Sequence, residues 1–197
     1  MGAFLSKGVS IYVEGAGNDY VGKGMSGGKI VITSKLSGSK YSLAGNTCLY
    51  GATGGKLFVT GQVGERFAVR NSGCIAIVEG TGDHPCEYMT GGVVIVLGET
   101  GVNFGAGMTG GVAFIYDIAH QFVETINSEL VQAKRIDTDD TDDERYYLKK
   151  LLKEYYQETN SEKAKDILDN FRVEIRNFWM VRPKDMISTP LKIEEGE

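Results

Sequence analysis

Two glycine strings carry spacings that could do chemistry. Gly22-x-Gly24-x-x-Gly27 and Gly105-x-Gly107-x-x-Gly110 both spell the dinucleotide fingerprint. That chemistry needs a preceding strand, a following helix whose N-terminus meets pyrophosphate, and an acidic residue about 20 positions on. Each string here runs directly into a β-type stretch, so both are expected to be corners. GMSGGKI and GATGGKL evoke a phosphate loop, but neither Lys29 nor Lys56 is followed by Ser or Thr. His84-Pro85-Cys86-Glu87 offers ligand-type side chains with only Asp83 beside it, short of what zinc requires, so a turn is expected. Cys–His catalysis there would also need an orienting third group that the sequence does not show. Arg66 and Arg70 could hold an anion, or tie a turn to Glu65 or to a carboxylate of a partner domain.

Two carboxylate readings fail on spacing. Glu14 and Glu79 share a phase of the repeat described below but lie three repeats apart, about 14 Å at the strand spacing. A retaining glycosidase pair needs about 5 Å and an inverting pair about 6.5–9.5 Å. Asp137, Asp139, Asp140, Asp142 and Asp143 match a calcium loop only in charge, lacking its glycine and closing Glu. They fit better as a solvated linker complementing the N-terminal dipole of a following helix. The expected inventory is therefore no catalytic, cofactor-binding or metal-binding residue.

The elements that position these residues repeat. A glycine followed by an apolar run recurs with its last glycine at 8, 28, 55, 73, 92 and 111. A period near 19 residues, each unit holding one short β run, predicts the stacked coils of a parallel β-helix. The residues two and four after each glycine (Ile30 and Ile32, Leu57 and Val59, Val94 and Val96) are assigned to the interior. The third (Ile11, Val31, Phe58, Ala76, Ile95, Phe114) is assigned to the opposite face. Both columns are apolar, which means both faces are covered. The polar stretch 34–41 is expected to leave the stack as a loop.

Composition changes near Asp117: 26 of the 27 glycines lie before it. Residues 1–116 carry eight Lys/Arg against seven Asp/Glu, and the remainder thirteen against nineteen. The expected division is a glycine-rich β-helix over 1–117 and an acidic, mainly helical segment over 118–197 that packs on it as one structural unit. Residues 118–136 stay ambiguous. Capping boxes Thr141-x-x-Glu144 and Thr159-x-x-Glu162 predict two helices. Their apolar faces are Tyr147, Leu148, Leu151, Leu152 and Tyr155, then Ala164, Ile167, Leu168 and Phe171. FWMV before Arg182-Pro183 is either a last strand or a docking hook, and the final residues are expected to fray.

A net charge of −5 with no Lys/Arg cluster argues against nucleic acid. No apolar run is long enough for a membrane span. Cys48, Cys74 and Cys86 are an odd number without metal-type pairing, which suits a reduced, cytoplasmic setting. The opening MGAFLS fits the permissive myristoylation pattern, here expected to be incidental.

GNDYVGKGMSGGKIVI, GNTCLYGATGGKLFVTG, GERFAVRNSGCIAIVEGTGDHPCEYMTGGVVIVLG and NFGAGMTGGVAFIYD, with TNSEKAKDIL and VRPKD in the tail, resemble the C-terminal GXGXG-repeat domain of the glutamate synthase large subunit. The resemblance covers about residues 3–183 and implies a right-handed β-helix of six to seven coils followed by a short helical tail. It also implies a parent enzyme making glutamate from glutamine and 2-oxoglutarate. That enzyme would have a cysteine amidotransferase domain, an ammonia tunnel, FMN and an iron–sulfur cluster, with NAD(P)H or ferredoxin as donor. No part of that machinery maps onto residues here. The implied role is structural, with the remaining large-subunit domains as partners, and the small subunit or self-association as further ones. The chain is expected to be an excised domain, or else a separately encoded one. The alternative is a freestanding β-helix subunit of an oxidoreductase complex, similar to the formylmethanofuran dehydrogenase C subunit.

Overall fold

The computed structural model describes residues 1–35 and 42–187. Its spine is one sheet with strand order β1-β2-β4-β5-β6-β7-β9-β8. The strands are β1 (Ser10–Glu14), β2 (Ser26–Thr33), β3 (Ser42–Ala44), β4 (Gly54–Val63), β5 (Ser72–Thr81), β6 (Thr90–Val96), β7 (Gly110–Tyr116), β8 (Val131–Arg135) and β9 (Phe178–Pro183). From β1 to β7 the sheet pairs are parallel, one rung per glycine anchor, and β3 pairs with the distal part of β4. The result is a parallel β-solenoid of about five turns, fewer than the six to seven coils expected. The stack ends because β9 returns antiparallel to β7 (Ala113 opposite Val181) and β8 then pairs antiparallel to β9. FWMV is thus a strand, and the ambiguous stretch 118–136 supplies both a 3-10 turn (Phe122–Glu124) and β8. Most of the expected loop 34–41, and the expected frayed end from 188 on, lie outside the described residues.

The register corrects the assigned columns in two coils. Ile11 pairs with Ile30, not Val31, and Ala76 pairs with Leu57, not Phe58. The interior column is Ile11, Ile30, Leu57, Ala76, Val94 and Ala113, and the outer column is Tyr12, Val31, Phe58, Ile77, Ile95 and Phe114. The slip has a chemical origin. In four coils two glycines open the strand, whereas Val9 and Cys74 occupy the second position in the other two, so counting from the last glycine starts one residue early. At Cys74 the strand entry is held instead by buried Asn71. Its amide oxygen accepts from Cys74 N–H at 2.9 Å, and its nitrogen donates to Cys74 O at 3.0 Å.

Both columns are covered from the second rung on. The interior one forms the solenoid core with Val21, Met25, Leu49 and Phe67. The outer one, from Val31 to Phe114, packs under α1 (Asp142–Thr159), α2 (Glu162–Asp169) and the single turn α3 (Phe171–Glu174), while Tyr12 at its first rung is exposed. Tyr147, Leu148, Leu151, Leu152, Tyr155, Ala164, Ile167 and Phe171 are all buried there, as their helical spacing requires. The capping boxes are not formed. Thr141 Oγ1 donates back to Thr138 O at 2.7 Å, and Ser161, not Thr159, caps α2 by accepting from Ala164 N–H at 3.2 Å. Thr159 is the last residue of α1, its hydroxyl donating to Tyr155 O. Among the described residues no helix is long and apolar enough to cross a membrane.

Candidate functional sites

Opposite the strands, each coil turns through a strip in which every second residue is left-handed. The sets are Tyr20, Gly22, Gly24; Thr47, Leu49, Gly51; Arg66, Ala68, Arg70; His84, Cys86, Tyr88; and Asn103, Gly105, Gly107, with φ between 54° and 72°. In four of these coils the first N–H of a set donates forward: Tyr20 to Asn46 O, Thr47 to Glu65 O, Arg66 to Asp83 O and His84 to Val102 O, at 2.8–2.9 Å. The middle one donates backward: Leu49 to Val21 O, Ala68 to Cys48 O, Cys86 to Phe67 O and Gly105 to Pro85 O. Left-handed backbone costs an L-residue roughly 1–2 kcal/mol, and here the ladder between coils offsets it.

The strip disposes of both fingerprint strings. Gly22, Gly24, Gly105 and Gly107 are corner positions, and β2 and β7 follow them rather than a helix. The third glycine of each string serves close stacking. A Cβ on Gly110 would sit 2.2 Å from Thr90 O, and one on Gly27 2.6 Å from Lys7 N.

The outer edge of the strip carries an open groove of about 550 Å³, lined by Arg66, Arg70, Glu87, Tyr50 and Tyr88 among others. Arg66 Nε stands 3.9 Å from Glu87, and His84 Nδ1 3.2 Å from the same carboxylate. Asn103 Nδ2 also lies 3.0 Å from His84 Nδ1. That ring nitrogen donates to Glu87 or accepts from Asn103, but not both, so the tautomer selects the partner. The His84–Glu87 string therefore does not converge on a metal. Cys86 points inward, and no group of three His, Cys, Asp or Glu able to hold an ion occurs among the described residues.

The lysines of the phosphate-loop-like strings face the helices. Lys29 and Lys56 are neighbours on adjacent rungs. They pair with Glu158 and Glu154, one helical turn apart on α1, with Lys56 Nζ at 2.5 Å from its partner. Tyr12 also donates to Glu158 at 2.8 Å. The Lys29 ammonium holds the Glu158 carboxyl below the usual carboxylate range.

Glu14 and Glu79 are separate, as expected: Glu14 is exposed and pairs with Lys35 at 2.8 Å. Glu79 is buried and meets the helices. Ser161 Oγ donates to Glu79 Oε1 at 2.5 Å, and Tyr155 OH lies 3.0 Å from that oxygen and 2.9 Å from Val59 O. Burial, reinforced by Glu79, keeps the Tyr155 hydroxyl protonated well above its ordinary range. One side chain thus joins a rung, the end of α1 and the cap of α2. Its sequence signal was a lone Glu closing the apolar run CIAIVEG. Asp117, at the composition boundary, accepts from Trp179 Nε1 and from the N–H groups of Gln121 and Phe122, all at 3.1 Å. Within the acidic run, Asp140 pairs with Lys134 and Asp142 with Arg145, so those two aspartates serve local turns.

Comparison with known proteins matches residues 1–184 to the family model described as the GXGXG motif. Over 186 residues the chain is 51% identical to the ferredoxin-dependent glutamate synthase of Antithamnion sp., covering 92% of this chain and 12% of that protein. It is 47% identical to the NADH glutamate synthase of Schizosaccharomyces pombe, covering 93% of this chain and 9% of that protein. It is 43% identical to the large chain of NADPH glutamate synthase from Bacillus subtilis, with 98% and 13% covered. The chain therefore spans only a small part of the length of these relatives.

Proposed function

The chain belongs to the GXGXG motif family, as the domain of that kind found in glutamate synthases, and from that premise we propose that it is a non-catalytic structural block. In this reading it braces the amidotransferase domain of a large subunit against the synthase domain, in a cytoplasmic setting. The parent would move the amide nitrogen of glutamine to 2-oxoglutarate, giving glutamate, with electrons from NAD(P)H or ferredoxin.

The observation that supports the reading is double coverage of the sheet. The solenoid interior packs on itself, while the outer column from Val31 to Phe114 is sealed by the chain's own helices and fastened through Lys29, Lys56 and Glu79. Coils and helices then move as one body, as a brace requires. The FMN and iron–sulfur cluster of the parent belong, in this reading, to other domains, and for the cluster the cysteines here do not fit. A cluster is held by cysteine thiolates. Cys48, Cys74 and Cys86 are buried, and burial pushes their thiols up, Cys48 to about 11.

The test has two arms. The chain by itself is expected to show no glutaminase turnover and no bound flavin; turnover above background would overturn the non-catalytic reading. In a full-length parent, Tyr155→Phe is expected to raise the glutamine hydrolysed per 2-oxoglutarate consumed. An unchanged ratio in a protein that melts lower would overturn the bracing role.

A further inference from the structure

The exposed face of α1 and the turn before it carries a charge pattern that is its own complement. Taking Tyr146 as centre, Asp143 and Lys149 stand three residues to either side, Asp142 and Lys150 four, and Asp139 and Lys153 seven. Three and four are spacings that share one helical face, seven does the same for Lys153, and Asp139 stands just before the helix in the 3-10 turn Asp139–Thr141. The face is open: Tyr146 is 68% exposed, and Asp139, Asp142, Asp143, Lys150 and Lys153 are exposed with it.

The acidic half has an ordinary explanation in the helix dipole, which favours carboxylates at the N-terminus. The basic half does not, apart from Lys149, whose ammonium stands 5.0 Å from the centre of the Phe171 ring. The last turn of α1 carries no basic residue, and the lysines sit mid-helix. Lys149 and Lys153, four apart, repel each other, as do Lys150 and Lys153, three apart. The acids that could neutralise them are engaged elsewhere, since Glu154 turns to Lys56 and Glu158 to Lys29. Among the described residues, Lys150, Lys153, Asp139 and Asp143 have no ion-pair partner.

We propose that this face is a self-association surface on which a second copy of the chain docks with its α1 antiparallel, about a two-fold axis through Tyr146. That operator places Asp143 opposite Lys149 of the second copy and Asp142, which also pairs with Arg145 of its own chain, opposite Lys150, with the turn residue Asp139 toward Lys153, and each contact recurs once by symmetry. The lysine triad then faces carboxylates instead of solvent, and the two exposed Tyr146 rings meet at the centre. A shallow open face bounded by charge gives a weak, salt-sensitive dimer whose register is set by electrostatics. The surface lies outside the seams that support the bracing role and is independent of it.

The test is sedimentation velocity on the full 197-residue chain at about 0.01 M and about 1 M salt, where the screening length falls from about 30 Å to about 3 Å. The expected result is a monomer–dimer equilibrium that weakens at least about tenfold at high salt. Lys150→Glu with Lys153→Glu makes one face largely acidic, and Asp139→Lys with Asp142→Lys makes the other largely basic. Each variant alone should be monomeric, with circular dichroism confirming that it is folded. Mixed one to one they should form a heterodimer, since the six facing pairs become opposite in sign again. A wild type that is monomeric at both salts, a dimer that survives the acidic variant, or a mixture that stays monomeric overturns the proposal.

Discussion

Raising pH should weaken this protein through its three thiols. In the unfolded chain each ionises near its ordinary pKa of about 8.5. In the folded protein all three are buried and burial pushes the thiol up, Cys48 to about 11 and the others further. A pKa raised by folding contributes stability that is fully present below the unfolded value and lost as pH rises through the window up to the folded one. At about pH 9.5 the unfolded state gains roughly 1.4 kcal/mol per thiol, and three give about 4 kcal/mol. Against a total of 5–15 kcal/mol typical of such domains, that is a large loss. The assay is urea unfolding under reducing conditions at about pH 7 and about pH 9.5, comparing wild type with the triple variant Cys48→Ala, Cys74→Ala, Cys86→Ala. Tyrosines and lysines titrate alike in both proteins and cancel in the difference. The wild type should lose about 4 kcal/mol more than the variant between the two pH values. Equal losses in both would mean that the thiols ionise in the native state, and the burial argument against cluster ligation would fall with it.

Phe58→Asp and Phe114→Asp each place a carboxylate in the outer column beneath α1 and α2, and should cost more than about 2 kcal/mol, read as a lower denaturant midpoint. Wild-type melting in both would show that the seam is not packed. Two glycines separate stacking from conformation. Gly110→Ala drives a Cβ to 2.2 Å from Thr90 O and should lose about 3 kcal/mol or more, whereas Gly51→Ala, at φ 64° with open space around it, should lose only about 1 kcal/mol. Similar midpoints for the two variants would refute the close-approach account.

The solenoid was legible because the glycine period and the apolar strand both recur, and two apolar columns announced a covered sheet. Register was legible only where two glycines open a strand; Val9 and Cys74 hid it elsewhere, because Asn71 does for Cys74 what a second glycine does in other coils. The corner strip was legible only at its glycines, since tyrosine, leucine, arginine, histidine and cysteine take left-handed backbone there only because the neighbouring coil supplies partners. Glu79 was visible as a residue but not as a fastener, its partners Tyr155 and Ser161 lying far along the chain. The first helix begins at the Thr141 cap as expected but without its side-chain hydrogen bond, and the second begins two residues late at Ser161, because Thr141 and Thr159 spend their hydroxyls on carbonyl groups behind them.

The reversal at β9 bears on the order of assembly. Each parallel rung finds its neighbour within the next coil, so the stack can zip up in sequence as chain is made. The β7–β9 seam obeys a different schedule. Ala113 waits for Val181, and β8, between them in sequence, reaches the sheet only through β9. Until the tail is complete, β7 presents a bare parallel edge of the kind that recruits strands from other chains. A release or truncation before Phe178 should therefore leave a sticky, stackable intermediate, and the last six-residue strand acts as the stopper of the pile.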